Sequence, residues 1–453
     1  MKYFQFRCLF ILIIFFFSCD EENIVNPPAD SDAYKQYGVP FKNIPATDSL
    51  AMYEVNLRAF SQSGNIEGII SRLDELKSLN INTLWLMPIF TQGVEKSVNS
   101  PYCIRNYKEV SPEYGTLADL RKLTTLAHDR KIAVILDWVA NHTSWDNTWI
   151  VNKAWYSQDA NGNIIQPAGT NWADVADLNF DNVKMRAAMI DAMKYWVLEA
   201  NVDGFRCDYA DGVPFDFWKQ AIDSLNNIKS RKLILLAEGS RKDHYHAGFQ
   251  MTYGWDYYAK LKSVWKGENA QNLITVNTNE YSGLADGKHK LRFTTNHDES
   301  AWDASPMTLF NGKNGAFAAS VSSIFLGGVP LIYTGQEVGR TGTTPFFTKS
   351  PVDWTVNQDM YAEYKNLMKA YFEMNIPKLR SLKNYSTQDI LIFKRFNGNQ
   401  EVLVLINVRN KSINLTLPTD LINSQWKNAL NNQNLNLSST LTMSAYQYFI
   451  LAK

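Results

Sequence analysis

Asp203-Gly204-Phe205-Arg206-Cys207-Asp208 and Leu233-Ile234-Leu235-Leu236-Ala237-Glu238 are two short, mostly apolar runs, each closed by a carboxylate. Between them, Phe215 to Asn226 spaces its apolar residues as a helix does, so the stretch reads strand, helix, strand. Parallel strands joined by helices are covered on both faces, which is why such runs are continuous rather than alternating. Moving toward the N-terminus, the same unit recurs. Ile132 to Asp137 reads as a strand after a helix at Leu117 to Lys131, and Thr83 to Pro88 as a strand stopped by proline. Met52 to Phe60 reads as the first strand, followed by Ile66, Ile69, Ile70, Leu73, Leu76 and Leu79 at helical spacing. Moving toward the C-terminus, further strands are expected near Met251 to Trp255, at Leu291 to Thr295 and at Pro330 to Tyr333. A polar, Trp-rich stretch from His142 to Asn179 interrupts the rhythm, and the helix Val183 to Leu198 resumes it. The fold class expected is therefore α/β, a (β/α)8 TIM barrel over residues 48–381 with a short insertion after the third strand, at about 142–179.

Beyond Ser381 the pattern changes. Ile390 to Phe396, Glu401 to Val408, Ser412 to Leu417 and Leu441 to Leu451 alternate β-branched and polar residues between Asn/Gly turns. They predict a small C-terminal antiparallel β-sandwich domain over residues 382–453.

The first 19 residues form a separate unit. Lys2 and Arg7 give a basic start, and the apolar run Leu9 to Phe17 is too short to span a bilayer as a mature helix, so it reads as a secretory signal. Phe16-Phe17-Ser18-Cys19 resembles a bacterial lipoprotein box, which implies lipidation at Cys19 and a membrane anchor. The following Asp20-Glu21-Glu22 resembles lipoproteins exported to the outer membrane, some of them to its outer face. Residues 20–47, with Asn26-Pro27-Pro28, read as a flexible tether. With Cys8 in the signal and Cys19 lipidated, Cys103 and Cys207 are expected to be buried free thiols.

The balance of 45 basic and 45 acidic residues offers no basic surface for nucleic acid. An apolar fraction of 45% with 20% charged residues belongs to a globular chain, expected to be a monomer. Its 13 Trp and 22 Tyr would serve a core or a surface that stacks on sugar rings.

Asp137, Asp208 and Glu238 end the third, fourth and fifth expected strands, and Asp298 lies just past the seventh. On a barrel these ends share one rim, where barrel enzymes keep their sites. Cleaving a glycosidic bond with retention needs two carboxyl groups about 5–5.5 Å apart, which adjacent strands supply.

The surrounding residues resemble the α-amylase family, glycoside hydrolase family 13, from Met52 onward. Asp137-Trp138-Val139-Ala140-Asn141-His142 resembles its first signature, Gly204-Phe205-Arg206-Cys207-Asp208 its second, Ala237-Glu238 its third and Asn296-His297-Asp298 its fourth. Asp177-Leu178-Asn179, Leu84 to Pro88 and Gly328 to Glu337 resemble its accessory motifs. The resemblance implies Asp208 as nucleophile, Glu238 as general acid/base and Asp298 as the third carboxylate. Arg206 would keep Asp208 ionised, and Asp137 would be its structural partner. His142 and His297 would donate to the same sugar, and Tyr102 in Ser100-Pro101-Tyr102 would cover its apolar face. Family members that bind Ca²⁺ do so through the residues matching Asn141, Asp177 and the carbonyl of Gly212.

The implied activity is hydrolysis of α-1,4-glucosidic bonds in starch or maltooligosaccharides through a covalent glycosyl-enzyme. The alternatives are an α-glucan transglycosylase, an α-1,6-acting glucosidase, and a non-catalytic surface lipoprotein that binds glucans. Many endo-acting members carry Lys-His three and four residues after the nucleophile, where this chain has Asp211-Gly212. That exchange, with the short insertion, leads to an expectation of weak leaving-side binding and short products.

Overall fold

The structure is a computed structural model, described here for residues 34–229 and 231–453. The lipoprotein motif, including Cys19, lies outside the described residues. Among the described residues, eight parallel strands close into a barrel. They are β1 (Met52–Val55), β2 (Thr83–Leu86), β3 (Ala133–Val139), β4 (Gly204–Asp208), β5 (Ile234–Ala237), β6 (Met251–Tyr253), β7 (His289–Arg292) and β8 (Val329–Tyr333). Each pairs with its neighbours in sequence, and β8 returns to β1.

The period of two along each strand sorts side chains between lumen and outer layer. Met52, Trp85, Ile135, Leu236 and Leu331 pack together inside the barrel. Tyr53, Leu84, Val134, Leu235 and Ile332 face the surrounding helices. Phe205 and Cys207 belong to the outer set, which leaves Arg206 and Asp208 on the lumen alternation. The same parity turns Glu54, Asp137 and Glu238 inward.

Three local expectations need correction. The first strand stops at Val55, and Leu57–Phe60 is a helical turn. Asn56 ends the strand, since its amide N–H donates to Thr334 Oγ1 (3.0 Å) and its side chain to Tyr333 Oη (3.0 Å). The seventh strand runs His289–Arg292 rather than Leu291 to Thr295. A second excursion follows β2, an antiparallel hairpin of Phe90–Gln92 with Ile104–Val110. The expected insertion after β3 is built on His142–Ser144 paired with Val175–Asp177.

Residues 34–47, assigned to the tether from sequence, are in part docked on the barrel. Tyr34 Oη donates to Asp191 (2.6 Å), the Tyr37 amide donates to the Leu198 carbonyl (2.8 Å), and Phe41 stacks on His128 at 4.4 Å. Cys103 and Cys207 are buried and free, as expected.

The C-terminal region contains a six-stranded antiparallel sheet and a two-stranded sheet. The closing segment Leu441 to Leu451 is split between Thr440–Met443, in the small sheet, and Tyr448–Ala452, in the large one. Leu391, Phe393, Val404 and Ile406 join the main core that includes the barrel helices. Ile390, Ile392, Leu403 and Leu405 pack under Leu415, Leu417, Trp426 and Met443. The large sheet is thus apolar on both faces.

Candidate active site

A cavity of about 500 Å³ opens at the C-terminal ends of the strands, lined by Tyr102, His142, Asp208, Glu238, His297 and Asp298 among others. Pairing in register explains why they meet. Asp137 on β3 lies opposite Arg206 on β4, and Cys207 opposite Ala237 on β5, so Asp208 and Glu238 follow at the same level. β3 itself runs two residues past Asp137, to Val139.

Arg206 organises the floor. Its Nη1 donates to Asp137 Oδ1 (2.8 Å) and Asp208 Oδ1 (2.9 Å), and its Nε donates to Tyr253 Oη (3.1 Å). Nη2 lies 2.9 Å from Glu238 Oε2, an ion-pair approach without hydrogen-bond alignment. The guanidinium is fully buried and sits over the Trp85 ring at 5.0 Å. Arg206, expected to keep Asp208 ionised, does pull its carboxyl downward. Burial is the larger influence, and with Glu238, Asp137 and Asp298 nearby it holds Asp208 well above the ordinary carboxylate range. Burial likewise pushes Asp137 up to about 6 against the pull of Arg206. One guanidinium does not offset that burial, and the Asp208 and Asp137 carboxyls stay above the range of isolated acids.

The other wall is a relay of hydrogen bonds. Tyr102 Oη donates to Asp137 Oδ2 (3.1 Å) and is 2.7 Å from His297 Nε2, and its ring stacks on His297 at 5.4 Å. His297 Nδ1 bonds to the carboxylate of Glu54 on β1. Burial disfavours the His297 proton, but Asp298 and Glu54 outweigh it and the net shift is upward. Asp298 is the second residue of the helix His297–Trp302, with Oδ2 3.4 Å from His297 Nε2. Burial raises Asp298 above its ordinary range. Burial lowers His142 to about 4, so it is neutral at physiological pH.

Several residues in or behind the cavity wall were not anticipated. Glu54 is the one acid in a fully buried strand, a signal present in Met52-Tyr53-Glu54-Val55. Trp172, Tyr209, Trp302, Phe346 and Phe347 supply aromatic walls. Trp172 and Tyr209 meet edge to face at 5.0 Å. Nothing in their sequence spacing marks them.

At the proposed metal position, a Cβ added to Gly212 would meet Asn141 Oδ1 at 2.7 Å, so the amide oxygen and this backbone are adjacent. Burial raises the Asp177 carboxyl, and among the described residues no basic side chain forms an ion pair with it. These are hard oxygen donors that fit Ca²⁺. Among the described residues no group of three or more His, Cys, Asp or Glu side chains is arranged as a metal site.

Comparison with known proteins agrees with the barrel and its rim. The α-amylase catalytic-domain family matches residues 28–166 and 169–389. Alpha-amylase 3 of Dictyoglomus thermophilum is 30% identical over 365 residues, 71% of this chain and 70% of that protein. Alpha-amylase MalA of Haloarcula japonica is 25% identical over 85% of this chain, which spans 59% of that longer relative. An α-amylase structure from Lactobacillus plantarum superposes with a TM-score of 0.80 at 26% identity, covering 90% of this chain and 99% of that one. With the family matched across most of its length and over the rim that carries the carboxylates, the chain belongs to the α-amylase family and is a glycoside hydrolase.

Proposed function

We propose that the protein hydrolyses α-1,4-glucosidic bonds of starch or maltooligosaccharides with retention of configuration. Asp208 attacks the anomeric carbon and the glycosidic C–O bond breaks as Glu238 protonates the leaving oxygen. Glu238 then takes a proton from the water that releases the sugar from Asp208. Asp298, His297 and His142 bond sugar hydroxyls, and Tyr102 packs on the ring. The observation that carries this reading is the bridging guanidinium, with Arg206 within 2.9 Å of both Asp208 and Glu238 inside the cavity. Tyr209 and Trp172 offer paired rings in the cavity that Glu238 lines. The same rings favour a sugar acceptor and support a second reading, transfer at high maltose concentration.

Asn141, Asp177 and the Gly212 carbonyl would hold Ca²⁺ in a structural role, pinning the insertion to the loop after β4. An acyl chain on Cys19 would hold the enzyme at the outer membrane. Proton NMR of fresh product from maltotetraose tests the main reading, since the α-anomer must appear first. An initial β-anomer would sink it.

A further inference from the structure

Asp211 follows Asp208 by three residues, yet it does not line the cavity. Oδ1 lies 2.6 Å from Nε2 of the buried His244 and accepts from the Arg241 amide (3.3 Å). Oδ2 accepts from the Ser240 amide (2.9 Å). Arg241 answers by donating through Nη1 to the Asp211 carbonyl (3.0 Å). The turn 239–241 that follows Glu238 is thereby fastened to the loop that follows Asp208. Gly239 permits it, since a Cβ there would lie 2.3 Å from Asp211 Oδ1 and 2.9 Å from His244 Nε2.

Glu238 is gripped from the same loop. Its carbonyl accepts from the Ala210 amide (2.9 Å), and its Oε2 accepts from the Tyr209 amide (2.7 Å). Tyr209 aims that amide by taking a left-handed conformation, φ 39° and ψ 47°. A non-glycine residue is strained in such a backbone, which persists only where its surroundings enforce it.

We propose that Asp211, held by His244, is a positioning residue for the acid/base, fixing the direction in which the Glu238 carboxyl meets the leaving oxygen. It rests on the reading of Glu238 as acid/base given above. A carboxyl displaced by an ångström loses up to about a hundredfold in rate where proton donation matters. It loses little where the leaving group departs without a proton.

The test compares kcat/KM on maltotetraose and on α-maltosyl fluoride, whose C–F bond breaks with release of fluoride and needs little acid assistance. Asp211→Ala is expected to lower the maltotetraose value about 10–100-fold and the fluoride value less than about threefold. Asp211→Asn, which keeps an oxygen acceptor, should recover most of the difference. Equal losses on both substrates, or no loss on either, would overturn the proposal. Glu238→Gln runs beside it and should show the same split, larger. If it does not, the acid/base assignment fails rather than the positioning role. Should Asp211→Ala not fold by circular dichroism, His244→Gln is read by the same criteria, with a split of about 3–10-fold expected.

Discussion

Glu54 and His297 stand 243 residues apart, yet the carboxylate of the first meets Nδ1 of the second at the closure of the barrel. Glu54 accepts, so Nδ1 keeps its proton and Nε2 is directed toward Tyr102 and the cavity. Glu54→Gln should lower kcat/KM on maltotetraose by about 10–100-fold and lower the His297 pKa, read by histidine NMR. Unchanged kinetics would remove Glu54 from the site's support.

Asp208→Asn should cost several orders of magnitude in turnover and stabilise the fold at neutral pH. The sign follows from linkage. The folded-state pKa of Asp208 lies above its unfolded value, so the folded form holds the proton longer and ionisation opposes folding. That cost is absent below about pH 4 and grows as pH rises through the folded pKa. Melting scans should show Asp208→Asn above wild type by about 1–4 °C at pH 7 and level with it at pH 4. A variant less stable at pH 7 would contradict this account of the cluster.

Chelation probes the insertion. If Ca²⁺ joins Asn141, Asp177 and the Gly212 carbonyl, EDTA should lower the melting temperature by several degrees, and Asp177→Asn should abolish that sensitivity. An unchanged melting temperature in EDTA would mean no structural calcium.

Chain-length preference probes the cleft. The cavity of about 500 Å³ suits a few glucosyl units, so maltotetraose and maltoheptaose should differ in kcat/KM by less than about tenfold. Early products from amylose should be maltose or glucose. Rapid viscosity loss with long early products would mean a longer cleft, and preferential cleavage of isomaltose would overturn the linkage.

Anchorage is tested by Cys19→Ala, which should release the protein from membranes or block its maturation. A variant still fractionating with membranes would exclude the lipid.

Apolar runs ending in acids were enough to read the barrel, because a parallel strand buried on both faces has little freedom in composition. Strand order placed Asp208, Glu238 and Asp298 on one rim, and it was the resemblance of the motifs around them that singled them out from other rim acids. The parts that escaped depend on partners remote in sequence. Asp211 looked like the loss of a sugar-binding cation until His244 and Ser240 were seen to hold it. Tyr209 gave no sign of its left-handed backbone, which for a tyrosine is set by the loops around it. The hairpin after β2, which carries Tyr102, is short and irregular, with register shifts along its pairing, and so shows no alternation.

The docking of Tyr34 on Asp191 sets a leash length. If lipid is attached at Cys19, fifteen residue steps separate it from Tyr34, which caps the reach at roughly 50 Å. The enzyme would then work within about its own diameter of the bilayer, sweeping a shallow shell. Granular or cell-bound glucan would have to be brought to the surface before the cleft could meet it.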